Sequence, residues 1–170
     1  MARRRVRVWS MTVRVLHWTL AALVLIDLVH DDGDRMHRLV GYAAATVVMV
    51  RLAWAAMTGS LAELRPSLPA TLAYVRLLAR GRPPRSPGHD PLGLWMVWLL
   101  WLLVLLLGIT GWMTRLDTFW GDQRLHDVHS LLADILLVCV ACHLIAVAAM
   151  SWLWKENLPA SMLTGRKRGL

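Results

Sequence analysis

Four apolar segments dominate this chain, at approximately 13–29, 37–57, 92–113 and 126–154, each near the roughly 20 residues a helix needs to cross the hydrocarbon core of a bilayer. Backbone polar groups in lipid must be paired within the segment, so the pattern predicts an all-α, integral membrane four-helix bundle. With 57% hydrophobic residues in 170 and a mean hydropathy of +0.49, the chain carries more apolar surface than a soluble domain of this size can bury. We expect one domain over residues 1–170, with membrane lipid as part of its solvent.

The formal charge of +8 does not point to nucleic acid, because the basic residues are interspersed with long apolar runs. They sort instead by loop. Arg3, Arg4, Arg5, Arg7 and Arg14 lie at the N-terminus, Arg65, Arg76, Arg80, Arg82 and Arg85 in the 58–91 connection, and Lys155, Arg166, Lys167 and Arg168 in the tail. The other two loops hold only Arg35, Arg38, Arg115 and Arg124, among Asp31, Asp32, Asp34, Asp117, Asp122 and Asp127. The positive-inside rule therefore places both termini in the cytoplasm. Trp9, Trp18, Trp95, Trp152 and Trp154 fall at the inner interface and Trp112 and Trp120 at the outer, while Trp98 and Trp101 sit deeper, facing lipid or packed in the bundle.

The basic N-terminus before an apolar run imitates a signal peptide, but His30-Asp31-Asp32-Gly33-Asp34 follows instead of a small-residue cleavage site, so the first segment reads as a retained helix. It is short and carries Asp27, whose turn either emerges early or is covered by neighbouring helices. In the 58–91 connection, five prolines separate pieces of chain, and residues 70–78 have the spacing of a short surface helix.

Histidines carry the chemistry, since ligating residues inside a membrane are costly. His17 lies one turn into the first helix on the inner side, and His37 opens the second on the outer side. In the last helix His129 lies near the outer end and His143 follows 14 residues later, about 21 Å further in and only about 40° from the same face. Depth therefore pairs His17 with His143 and His37 with His129, as two bis-histidine haems b stacked in a bundle require. Taken singly, each histidine reads more simply as an interfacial or core residue hydrogen-bonded to a neighbour; matched depth and phase favour haem for the four together. His30 is about 140° off the face of His17, His126 is about 100° off that of His143, and His89 belongs to the middle connection, where a capping or surface role is expected.

Gly41, Gly108 and Gly111 would let a flat macrocycle approach the backbone, or serve ordinary helix packing. Arg14, Arg35, Arg38 and Arg51 lie at depths suited to propionates; Arg51, within a helix, reads equally well as snorkelling to the interface. Cys139-Val140-Ala141-Cys142-His143 matches the C-x-x-C-H sequence of covalent c-type haem. Its place inside an apolar helix toward the cytoplasm argues against attachment, and His143 is the expected ligand either way.

Arg7-Val8-Trp9, Arg14-Val15-Leu16-His17-Trp18, His37-Arg38-Leu39-Val40-Gly41, Arg51-Leu52-Ala53-Trp54, Gly88-His89-Asp90-Pro91-Leu92-Gly93 and Leu125-His126-Asp127-Val128-His129 together resemble the bacterial cytochrome b561 family, including the cytochrome b subunits of nickel-iron hydrogenases. The resemblance covers nearly the whole chain and implies a four-helix membrane bundle with His17, His37, His129 and His143 as haem ligands and quinone as the lipid-soluble partner. Asp90 stands where the family pattern usually has Asn, the first connection is very short, and the two cysteines before His143 are not expected.

Two axial imidazoles leave iron no open position, which favours outer-sphere electron transfer. The leading expectation is a carrier between the quinone pool and a one-electron partner, a periplasmic or membrane-bound redox protein such as a c-type cytochrome. An alternative from the enzyme class is a superoxide:quinone oxidoreductase, with Arg35, Arg38, Arg115 and Arg124 attracting the anion against nearby acidic residues. A third is a haem-free membrane anchor that docks a redox partner.

Overall fold

The computed structural model describes residues 5–30, 32–86 and 88–169; Arg3, Arg4, Asp31 and Pro87, which enter the charge and loop readings above, lie outside the described residues. In chain order the elements are β1 (Arg5–Arg7), α1 (Met11–Val29), α2 (Arg35–Met57), α3 (Leu68–Ala79), α4 (Pro91–Met113), α5 (Gln123–Leu153), α6 (Leu158–Thr164) and β2 (Arg166–Arg168). Helices α1, α2, α4 and α5 are long and apolar enough to cross a membrane.

Each long helix starts on a side-chain cap, because its first N–H groups have no partner within the helix. Ser10 accepts from Val13, Asp34 from His37, Asp90 from Gly93 and Asp122 from Arg124 and Leu125. The Asp at position 90 thus does what an Asn would do there, since both residues are strong N-caps, and Pro91 sits in the first turn. Asp34 and Asp122, which in sequence look like loop charges, are helix caps.

Helix α1 packs on α2, α4 packs on α5, and α2 joins the two pairs through α4. The shared core holds Ala44, Val48 and Ala55 of α2, Trp101, Leu103 and Val104 of α4, and Leu136 of α5. Small residues permit the close α2–α4 approach: a Cβ on Gly108 would meet the Ala45 methyl at 3.0 Å, so Gly108 serves helix packing. Leu25 and Ile26 of α1 and Val138, Leu144 and Ile145 of α5 are exposed on the outside of the bundle, the surface that acyl chains would cover. Trp98 and Trp101 are packed within the bundle: Trp98 Nε1 donates to the Leu64 carbonyl at 2.7 Å, and the two rings meet edge to face at 5.7 Å.

Both ends of the chain meet at one end of the bundle. β1 pairs antiparallel with β2, Val6 opposite Lys167, an arrangement with no signature in the sequence because three-residue strands carry no periodicity. Glu156 accepts from Arg85 Nε and Nη2 and from the Arg168 backbone N–H, while Lys167, only 5% exposed, donates to the Gly88 carbonyl between the rings of Trp9 and Trp154. Desolvation pushes the Glu156 carboxyl up, but the Arg168 N–H and Arg85 outweigh it and hold it below the usual range. His89 is packed inside this cap rather than at the surface, its ring edge-on to Trp9 at 4.8 Å. Burial, aided by Lys167, pushes its imidazole down to about 4.

Candidate functional site

The far end of the bundle, away from the chain termini, contains a cavity of about 180 Å³ whose walls include Asp27, His37, Arg38, Gly41, Gly111 and His129. The sequence singles out five of these six; Asp27 stands out there only for its depth. The rings of His37 and His129 face each other across the cavity, their centres 6.2 Å apart and their planes at 84°.

Each ring is held by its Nδ1. His37 Nδ1 lies 2.9 Å from the His30 carbonyl and 3.1 Å from Asp27 Oδ1. His129 Nδ1 lies 2.7 Å from Thr110 Oγ1, whose own proton goes to the Leu106 carbonyl at 2.8 Å. The carbonyl partner makes His37 Nδ1 the N–H donor and leaves its Nε2 lone pair free; with its proton on the Leu106 carbonyl, Thr110 accepts in the same way from His129 Nδ1. The His37 backbone is fixed as well, its N–H bonded to the Asp34 cap at 2.8 Å.

Two glycines make room for this arrangement rather than for general flexibility. A Cβ on Gly111 would meet His129 Cε1 at 3.2 Å, and one on Gly41 would meet Asp27 Oδ2 at 3.3 Å. Gly41 thus faces a carboxylate of α1. It also lines the cavity shared by His37 and His129.

The second pair is set deeper toward the termini. His17 on α1 and His143 on α5 are both half-buried. Arg51 of α2 stacks over the Trp101 ring at 5.6 Å, with its Nη1 buried and unpartnered among the described residues. Arg14 is drawn to the chain ends, where Nη1 donates to the Thr164 carbonyl at 3.2 Å. Arg38 lines the far cavity while its Nη1 donates to the Gly33 carbonyl at 3.1 Å, and Arg35 is exposed. Cys139 packs beside the core and Cys142 is exposed on α5; both are free thiols.

A family model described as prokaryotic cytochrome b561 matches residues 8–165. The chain belongs to the prokaryotic cytochrome b561 family. Among curated proteins nothing matches the chain. Family membership makes it a multi-pass membrane cytochrome with b-type haem and an electron-transfer role.

The far-end residues offer the donor type that the b-type haem of this family calls for: two imidazoles lining one cavity. His37 and His129, their ring centres 6.2 Å apart, are the residues that would hold a haem iron between them, and the bound group would supply one-electron chemistry. At the termini end, the orphaned Arg51 Nη1 is a buried cationic donor of the kind a propionate would satisfy.

The residues that orient the ligands largely escape a reading of the sequence. Thr110 carries no motif, and its role depends on α4 meeting α5. Asp27 does give a signal, as a carboxylate inside a membrane helix, but its partner lies on another element. His30, whose own ring bonds back to the Ile26 carbonyl, contributes its backbone carbonyl.

Proposed function

We propose that this cytochrome holds two haems b, one between His37 and His129 and one between His17 and His143, and carries electrons between the quinone pool and a one-electron redox protein such as a c-type cytochrome. The observation that supports this best is the His37–His129 pair, with both Nδ1 atoms engaged and the ring centres 6.2 Å apart. Haem b in such a bis-imidazole setting supplies one-electron transfer without bond-making at iron. The chain's own residues orient the imidazoles, exclude water with the core of α2 and α4, and offer Arg51 to a propionate at the other end.

The termini end bears the excess of Arg and Lys, and by the positive-inside rule it faces the cytoplasm of a bacterial inner membrane. The His37–His129 pair then lies toward the periplasm, where a soluble or membrane-bound redox partner would exchange electrons.

The test is a pyridine haemochrome spectrum with haem-to-protein stoichiometry, on wild type and on H37A and H143A, followed by reduction with a quinol analogue. Two haems b in wild type, one in each variant, and quinol-dependent reduction are expected. A colourless preparation, or unchanged pigment in H37A, would refute the assignment.

A further inference from the structure

We infer that Asp27 is a positioning residue for the far-end haem: its carboxylate, placed beside the N–H side of His37, makes that imidazole a stronger electron donor and holds the iron at a lower midpoint potential. The inference rests on the two-haem reading above and adds a specific control of one of its sites.

Four observations carry it. Asp27 Oδ1 lies 3.1 Å from His37 Nδ1, although the best-aligned acceptor of that N–H is the His30 carbonyl at 2.9 Å, so the ring nitrogen is flanked by two oxygens. That carboxylate oxygen is buried with no hydrogen bond of its own among the described residues, which leaves the imidazole as its nearest polar neighbour. The opposite oxygen is seated against Gly41, where any side chain would begin to displace it. Finally, Asp27 lies within a membrane-crossing helix, where a carboxylate is expensive and an apolar residue would pack at lower cost.

The His30 carbonyl takes the N–H and fixes the tautomer, and a carboxylate placed beside that N–H raises the basicity of the other ring nitrogen. Greater donation favours the higher charge state of iron, so the reduced form is disfavoured. The partner ligand differs: His129 is backed by a neutral hydroxyl, Thr110. The asymmetry assigns tuning to the α1–α2 side of the site and simple orientation to the α4–α5 side.

The experiment is a spectroelectrochemical titration of purified wild type, D27N and G41A, with haem stoichiometry and the electron paramagnetic resonance signal of each oxidised haem. In D27N, two retained haems with one midpoint moved upward, and the resonance of that haem alone shifted, support the inference. G41A keeps the carboxylate but displaces it, and a smaller upward move of the same component is expected. If D27N loses the far-end haem, G41A decides. Two haems with both midpoints at wild-type values, in D27N or in a G41A that must stand in for it, overturn the inference while leaving the two-haem reading intact. Fewer than two haems in wild type, or both haems kept in H37A, would overturn both.

Discussion

Thr110 Oγ1 lies 2.7 Å from His129 Nδ1 and gives its own proton to the Leu106 carbonyl, one turn earlier in α4. In that arrangement the hydroxyl accepts from the imidazole and favours the tautomer in which Nε2 is free. T110V keeps the shape and removes the acceptor, leaving a buried N–H unpaired at a cost of about 1–3 kcal/mol. Loss of such an orienting partner weakens metal-site affinity about 10–100-fold. Haem transfer to an apo-globin scavenger should accelerate accordingly for one of the two haems, and T110S should behave as wild type.

Gly111 and Gly108 lie three residues apart, yet substitution should have different consequences. In G111A the new methyl meets His129 Cε1 at 3.2 Å, so the ring must turn and the far-end pigment should fall selectively in a difference spectrum. In G108A it meets Ala45 at 3.0 Å, prising α2 from α4. Overpacking of that kind costs about 1–3 kcal/mol and should lower the melting temperature.

His89 makes the termini cap sensitive to acid. Its folded value of about 4 lies below the 6.5 of an exposed imidazole, so between those values the unfolded segment binds a proton that the folded one refuses. Stability of the cap should fall as pH drops from 6.5 toward 4, by about 3 kcal/mol at most. Lys167 and Arg51 disfavour the protonated ring and Asp90 favours it, as seen from the elements packed around it. Limited proteolysis of the C-terminal segment against pH measures the effect, and H89Q should flatten the profile.

Glu156 anchors the same cap. E156Q removes the negative partner of the half-buried Arg85 and of the Arg168 backbone, while keeping an acceptor for one bond. A loss of about 2–3 kcal/mol is expected for breaking a largely buried pair on one side. The β1–β2 pairing should open first, read as faster hydrogen exchange at Val6 and Lys167, with haem content unchanged.

Cys139 and Cys142 should be dispensable for pigment. Cys142 is exposed on α5, away from the bundle, so C139A/C142A should retain wild-type haem that acid–acetone extracts completely. Pigment left on the polypeptide of wild type after extraction would contradict this.

Much of the site is legible in the amino-acid sequence because α-helical phase is a local property. A 14-residue interval alone sets His129 and His143 on one face of α5, and apolar length alone marks four spans. Capping is less plain: Asp34 and Asp122 look like loop charges until the N–H groups they accept from are located in space. What tertiary structure decided is azimuth between helices. Whether Gly41 faces a cofactor or the Asp27 carboxylate, whether Thr110 meets His129, and whether Arg14 reaches inward or turns to the Thr164 carbonyl all depend on how α1, α2, α4 and α5 roll against one another. The same holds for the cap, where Lys167 and His89 are buried only because residues at opposite ends of the chain are brought together. Spacing along one helix follows from covalent geometry, whereas contacts between helices follow from packing the whole surface at once, and no single segment encodes that.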